Sequence, residues 1–539
     1  MTRRNDKQAS VLSRPKTWMA LCAASLLAMA SSAAAEEVTL SMIGTGEILR
    51  GELVGFDADS YTVTSAQFGT LRLARSKFNC IRGACPAATS PPKIAALNVG
   101  PNFGIHGSNT IGAQLMPALL EAYAESIGAK AIKRVGKEAE EVEYELQGSD
   151  GRSLAKVDLQ SHGSGTSFPA LARGDAQIGM ASRPIKDKEQ TFMDLAGYLG
   201  MRAPGKEHVV ALDGLLAIVS PQNPLSSISI EDMAKVFAGE ITDWSQLGQS
   251  PGPINVYARD DKSGTYDTFN SLVLKPNKRK ISGQAKRFES NADLSDQVAG
   301  DPQGIGFTGI AYRRNAKVLS ISSPCGIEKS PSVFSVKTEE YPLSRRLFLY
   351  TTDSLIAPHG RKLLQFALSD DAQDVVVDVG FIDQSIDRLS FAAQGDRLAK
   401  ALDVDPGDFD LALMRTATSE LSKGERLSTT FRFNFGSSEL DNKALQDIGR
   451  LANLLKRAAY RDSQFLLVGF ADSVGAFEQN RSLSLTRALK VQAALQISAG
   501  RDLPENKVVP LGLGELMPVA CNETESGRAL NRRVEVWIR

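Results

Sequence analysis

Between residues 94 and 385, apolar runs of strand length alternate with amphipathic helical stretches, and this alternation constrains the fold more than any other feature. It is the pattern of an α/β domain, with helices covering a sheet. Leu215, Leu216, Ala217, Ile218 and Val219 form a buried-strand run ended by Pro221. Ser229, followed by Glu231 and Asp232, opens a helix with a cap and an acidic first turn. A stretch of roughly 300 residues is more than one core holds, so two lobes are expected. The whole chain has 539 residues, a length that suits three or four domains.

The flanks read differently. Residues 36–85 carry short β runs separated by Gly, Asp and Ser turns, which predicts a small β module. Residues 86–93 read as a linker, and residues 386–426 as a polar, partly helical connector. Residues 427–539 give a βαβαββ unit of the α+β class, with Leu445, Ile448, Ala452 and Leu455 as the apolar stripe of its first helix. At the start, Arg3, Arg4, Lys7, Arg14 and Lys16 precede an apolar run and the small residues Ala33 to Ala35. That is a Sec-type signal peptide over residues 1–35. Cys22 follows Leu21, where a lipoprotein needs a small residue, so lipidation is not expected. Export permits disulfides. Cys80 and Cys85 are expected to bridge, while Cys325 and Cys521 fall in different domains and the sequence leaves their pairing open.

Composition excludes several classes. Lys plus Arg and Asp plus Glu both number 62, and aromatic residues make up 6%, so no nucleic-acid partner is expected. No later segment is apolar enough to span a bilayer, so the mature chain is expected to lack a transmembrane segment.

One local device occurs three times in the central region. Ser108, Asn109 and Thr110 open one helix, Ser164, Gly165 and Thr166 a second, and Ser263, Gly264 and Thr265 a third. Each opening offers unpaired backbone N–H groups and hydroxyls, and glycine allows close approach. With Arg259 four residues before Ser263, three converging openings can hold a desolvated tetrahedral oxyanion. Taken singly, each opening reads as ordinary helix capping, and it is the three together, with Arg259, that point to a site.

These residues resemble the phosphate-binding proteins of ABC transporters, two-lobed periplasmic receptors of the PstS type. The matching strings are GDAQIGMASRPIKDKE (174–189), VFAGEITDWSQLG (236–248), YARDDKSGTYDTF (257–269), GIGFTGIAY (304–312) and YPLSRRLFLYT (341–351). The resemblance implies a two-lobed α/β fold with Arg259 as the charged ligand partner. Donors would come from Ser108, Asn109, Thr110, Ser164, Gly165, Thr166, Ser263, Gly264 and Thr265. Where some members place an acceptor Asp after the IG-x-x-S turn, this chain has Arg183. An acidic acceptor takes the phosphate proton and excludes sulfate, which has none. If Arg183 faces the ligand it adds positive charge, and weak discrimination of phosphate from sulfate follows. Its other reading is a surface or inter-lobe salt bridge.

The last domain resembles the OmpA-like peptidoglycan-binding module, through FNFGSSELD (433–441), VGFADSVG (468–475), NRSLSLTRALKV (480–491) and GRALNRRVEVWI (527–538). Asp472 and Arg487 make an acid–base pair suited to an amino-acid zwitterion: the carboxylate receives the ammonium and the guanidinium grips the carboxylate. The resemblance implies that they bind the diaminopimelate stem peptide of peptidoglycan, with Asn480 and Arg532 as structural supports. An internal Asp472–Arg487 salt bridge is the alternative.

No Gly-x-Ser-x-Gly elbow, His-Glu-x-x-His or Walker A loop is present. His106, His162, His208 and His359 are scattered without an acid partner evident in sequence, so no metal, cofactor or catalytic residue is expected. The expectation is a periplasmic, wall-associated receptor near the outer membrane. It binds inorganic phosphate or a similar oxyanion and serves capture, sensing or uptake with an ABC permease. Two other readings stand beside it: a structural envelope protein with another ligand or none, and a phosphate-ester hydrolase.

Overall fold

The computed structural model describes residues 36–42, 48–56, 60–65, 69–75, 78–83, 85, 100–136, 138, 140–352, 356–395, 397, 399, 410–500, 504 and 507–539. The expected signal peptide (1–35) and linker (86–93) lie outside the described residues.

The expected buried run 215–219 is the second half of a longer strand, Glu207–Val219. Its first half pairs with Ser344–Thr351 and its second with Gly304–Gly309. That one strand joins two half-sheets into a single sheet, because both of its halves are apolar and buried. On one side lie Ile178–Ala181, Phe103–Gly107, Ser153–Gln160, Glu141–Gln147 and Lys130–Val135, which make the first lobe. On the other lie Asn255–Arg259 and Lys286–Phe288, which make the second. The chain crosses between lobes near Asp213–Leu215 and Tyr341–Arg345, where Leu215 N donates to Leu343 O at 2.8 Å. Those crossings are the hinge.

The N-terminal module is a five-stranded antiparallel sheet, and Cys80 is disulfide-bonded to Cys85. Val38, Leu40, Leu49, Tyr61, Val63, Leu73 and Phe78 are buried in it. Their cluster continues into Phe168, Leu171 and Ala172. The module therefore backs the helix Ser164–Arg173, one of the predicted openings.

The C-terminal unit has its strands in the order Arg388–Ser390, Glu425–Arg432, Arg533–Ile538, Phe465–Phe470, Val508–Gly512. A short helix, Glu525–Asn531, precedes the last strand, which the βαβαββ reading lacks. Its Thr524 cap accepts from Gly527 N. The stretch read as a connector supplies the edge strand Arg388–Ser390 and the helix Leu411–Leu421. Leu445 is 43% exposed, so the stripe of the helix Asn442–Lys456 runs through Ala444, Ile448, Leu451, Ala452 and Leu455 instead.

This unit is docked on the receptor and not strung behind it. Cys325 and Cys521 form a disulfide across 196 residues. Buried Arg426 pairs with Glu340 of the second lobe and lies 3.3 Å from Glu535 of its own sheet. Arg346 bridges Glu339 (2.5 Å) and Asp441 (2.6 Å). Burial alone would raise the Glu339 carboxyl, but Arg346 outweighs it and holds the group down to about 2. At Glu535 burial is likewise outweighed, by Arg397, Arg426 and Arg533, and the value is again about 2. A depressed carboxyl contributes stability that is full above its ordinary value near 4.5 and is lost as pH falls towards 2. At Glu339 a difference of that size is on the order of 3 kcal/mol. The thermal midpoint of the chain is thus expected to fall steeply between pH 5 and 2. Glu339→Gln should lower it at pH 7 and make the acid limb shallower, as read by differential scanning calorimetry.

Candidate functional site

The three predicted openings meet where the lobes face each other. Thr110 Oγ1 of the first lobe lies 3.0 Å from Thr265 Oγ1 of the second, in buried surroundings. Ser164 Oγ accepts from Ser182 N at 3.0 Å and lies 3.4 Å from Ser182 Oγ. The turn that carries Gly264 rests on this pair: a Cβ at Gly264 would stand 2.1 Å from Ser164 Oγ and 2.4 Å from Ser182 Oγ. Only glycine lets the second lobe approach so closely.

Arg259 ends the strand Asn255–Arg259 and is 1% exposed. Its Nε donates to Phe288 O at 3.1 Å and its Nη2 to Glu289 O. Nη1 is buried with no partner. Among the described residues no carboxylate lies within ion-pair distance of it. Burial pushes its value down to about 10, and the charge of Arg345 adds to the effect while Asp260 partly offsets it. A buried cation without a counter-ion is costly unless something anionic comes to it.

Several residues of this cluster escape sequence reading. Arg345 is held by Asp213 through Nε (2.9 Å) and Nη2 (2.6 Å), and its Nη1 donates to Thr265 Oγ1 at 2.8 Å. Asn291 donates from Nδ2 to Asn109 Oδ1 and Thr110 Oγ1, each at 3.3 Å. Its Oδ1 and Ser108 Oγ are buried without partners. Tyr312 donates its hydroxyl to Thr110 O at 2.9 Å. An unpartnered acceptor, Asn291 Oδ1, and an unpartnered hydroxyl, Ser108 Oγ, thus accompany the free Nη1 of the buried cation. For Arg345 the signal was present in the string 341–351, but Asp213 stands 132 residues away.

Other predicted residues are spent elsewhere. Ser263 Oγ accepts from Thr265 N and Tyr266 N, which is the capping role. Gly165 N donates to Lys262 O at 3.2 Å, and Thr166 Oγ1 turns back to Gly163 O at 2.9 Å. Neither presents that group to the cluster. Arg183 corrects a larger expectation. Its Nε donates to Asp267 (2.8 Å), and Nη1 and Nη2 take both oxygens of Glu189 (2.7 Å each). Two carboxylates therefore neutralise it, so it adds no net charge to a ligand. Burial lowers its value, but Glu189 and Asp267 outweigh that and raise it. Weak phosphate–sulfate discrimination does not follow from Arg183, and Asn291 Oδ1 is a free acceptor. Arg183→Met is expected to cost about 3 kcal/mol of stability by stranding the part-buried Glu189 carboxylate, while Asp267 keeps Lys186 at 2.6 Å. Titration of the folded variant with phosphate should show less than a tenfold change.

His106 and His162 also have acid partners that sequence did not reveal, because these come from distant strands and turns. His106 Nε2 lies 2.8 Å from Asp158, and His162 stands between Glu141 (3.6 Å) and Glu289 (3.3 Å). Both line a cavity of about 360 Å³ between the lobes, with Thr166 and Lys262.

In the C-terminal unit Asp472 follows the strand Phe465–Phe470, and Arg487 sits on the helix Phe477–Ala499. The internal Asp472–Arg487 salt bridge, the alternative reading, is not formed. Asp472 binds Arg532 Nη1 at 2.6 Å and accepts Val474 N at 3.2 Å. Arg532, read as a support, is the carboxylate's own partner, and its Nη2 reaches Glu525 at 3.0 Å. Arg487 is fully buried, donates to Ser437 O (3.0 Å) and Asn434 O (3.2 Å), and lies over the Phe433 ring. Its Nη1 has no partner. Burial, then the nearby Arg532, pushes its value down to about 10. Asn480 donates to Glu515 at 2.9 Å and is structural.

Residues 149–371 match the PBP superfamily domain and residues 432–532 the OmpA family. Protein SphX of Synechococcus elongatus is 32% identical over 238 residues, which cover 42% of this chain and 68% of that protein. The chain belongs to the PBP superfamily. The phosphate-binding protein PstS of Borreliella burgdorferi is 26% identical over 239 residues, 42% of this chain and 79% of that one. PstS of Pseudomonas aeruginosa is 29% identical over 253 residues, again 42% of this chain and 73% of the relative. This PBP-superfamily chain thus carries an OmpA-family domain behind its receptor, the fusion that the sequence strings imply. Among the described residues no helix is long and apolar enough to cross a membrane.

Proposed function

We propose that the chain binds inorganic phosphate, or a closely similar tetrahedral oxyanion, between its lobes and is held non-covalently to peptidoglycan by its OmpA-family domain. The observation that carries this reading is Arg259: a fully buried guanidinium with an unpartnered Nη1 and, among the described residues, no counter-ion, within reach of the charge of Arg345, which donates to Thr265. Its electrostatic cost falls when an anion enters. The relatives named phosphate-binding proteins support phosphate as that anion. Ser108, Asn109 and Thr110 from the first lobe, and Gly264 and Thr265 from the second, surround the ion. Arg345 and Asn291 complete the shell.

Binding, not catalysis, is the role. The hydroxyls of Ser164 and Ser182 meet each other and no imidazole. The protein acts in the periplasm, exported by the leader over residues 1–35 and retained at the wall near the outer membrane. Domains spanning 36–85, 94–385 and 427–539, the last extended by the edge strand Arg388–Ser390 and the helix Leu411–Leu421, carry the three parts. Isothermal titration of the full chain with phosphate and sulfate is the test. Saturable phosphate binding is expected, and heat from neither anion would overturn the reading.

A further inference from the structure

The strand Ser344–Thr351 leaves the hinge with two consecutive arginines, and successive side chains on a strand point to opposite faces. Arg345 turns into the cleft, to Asp213 and Thr265. Arg346 turns the other way, to Glu339 and to Asp441 of the OmpA-family domain. That domain then grips both lobes. On the first, Asn442 Nδ2 donates to Arg202 O (2.9 Å) and Glu207 Oε1 (3.0 Å), and Arg450 Nη1 donates to Gln384 Oε1 (3.2 Å). On the second, Arg426 pairs with Glu340, Arg432 Nη2 donates to Thr338 O (2.6 Å), and Cys521 is bonded to Cys325.

We infer that the OmpA-family domain is a bracket across the receptor's hinge, which holds the lobes closed and slows entry and release of the oxyanion. It rests on the function proposed above only for the identity of the ion. The lobes are closed on each other, as the Thr110–Thr265 contact and the Gly165 N to Lys262 O bond show. Opening rotates one lobe against the other about residues 213–215 and 341–345. The disulfide keeps the bracket with the second lobe, so opening must break the Asn442 and Arg450 bonds and disturb the Arg346–Asp441 pair. Coupling of this kind is reciprocal: what favours the docked domain favours the closed cleft, and the converse. The wall site lies on the same path. Asn522, next to Cys521, accepts from Ser473 N at 3.4 Å, and Ser473 follows Asp472.

The test uses the full chain in four forms: oxidised, reduced with dithiothreitol, Cys325→Ser with Cys521→Ser, and Asp441→Asn with Asn442→Ala. Asparagine at 441 keeps the helix cap that Asp441 provides to Ala444 N. Amide hydrogen exchange is read at Leu215 and its hinge neighbours, and release of inorganic phosphate by stopped flow. Hinge exchange and phosphate release are each expected to rise at least tenfold in the 441/442 variant, and further when the disulfide is also opened. Unchanged hinge exchange in the folded 441/442 variant and in the reduced wild type would overturn the bracket. If the wild type binds no phosphate, the proposed function fails, while hinge exchange still decides the bracket on its own.

Discussion

Arg259→Met is expected to weaken phosphate binding at least about 30-fold while leaving the empty protein as stable as the wild type. The two halves of that result come from one fact, that the guanidinium is desolvated without a counter-ion. Removing the cationic partner of a buried ion pair costs about 2–5 kcal/mol of binding, or roughly 30- to 3000-fold at tenfold per 1.4 kcal/mol. In the unliganded chain the same substitution removes an unneutralised charge and keeps the volume, which offsets the loss of bonds to Phe288 O and Glu289 O. If Arg259 were only a structural brace, the signs would reverse: the midpoint would drop steeply and affinity per folded molecule would hold. Calorimetric melts with and without phosphate separate the two, because a ligand that binds only the native state raises the midpoint. Arg259→Lys keeps a point charge but loses the planar fork, so it should sit between wild type and Arg259→Met.

What was legible in the sequence follows the range of the interactions. The openings at 108–110, 164–166 and 263–265 are local patterns of small and hydroxyl residues, and the alternation of elements made the two-lobed architecture readable. Arg259 was visible because it lies four residues from Ser263. Asn291 was not, since its partners are brought near by the closing of two lobes, and Asp213 was not, since strand pairing sets it opposite Arg345 across 132 residues of sequence. Arg183 misled because its identity was read against a family position, whereas its surroundings decide its role. Glu189, six residues on, caps the next helix and grips Arg183 at once. The docking of the last domain was also hidden. A disulfide between Cys325 and Cys521 and an ion pair between Arg426 and Glu340 leave no periodic signal, and polar strand residues such as Ser428 and Thr429 are buried in that interface region.

Loss of wall retention in Asp472→Ala and Arg487→Ala is the second large effect expected. Arg487 presents an unpartnered Nη1 from a buried guanidinium already fixed by Ser437 O and Asn434 O. It is thus preorganised to grip a carboxylate. Asp472 keeps its pairing with Arg532 and is expected to take the ammonium of the same zwitterion. Removing either leaves one ligand charge unmatched, so each single substitution should weaken binding by roughly 30-fold or more. The double should lose little beyond either single, because the two groups act on one ligand. Arg487→Lys keeps the charge without the fork and should weaken retention as well. Arg532→Ala separates ligand binding from architecture: it frees Asp472 and should destabilise the domain more than it changes affinity in the folded fraction. The measurement is co-sedimentation of the full chain with purified sacculi containing diaminopimelate, with near-ultraviolet circular dichroism to verify each fold. Folded Arg487→Ala and Asp472→Ala proteins that sediment like wild type would remove the wall-binding role from this pair. The Asp472–Arg532 contact would then be a salt bridge and nothing more.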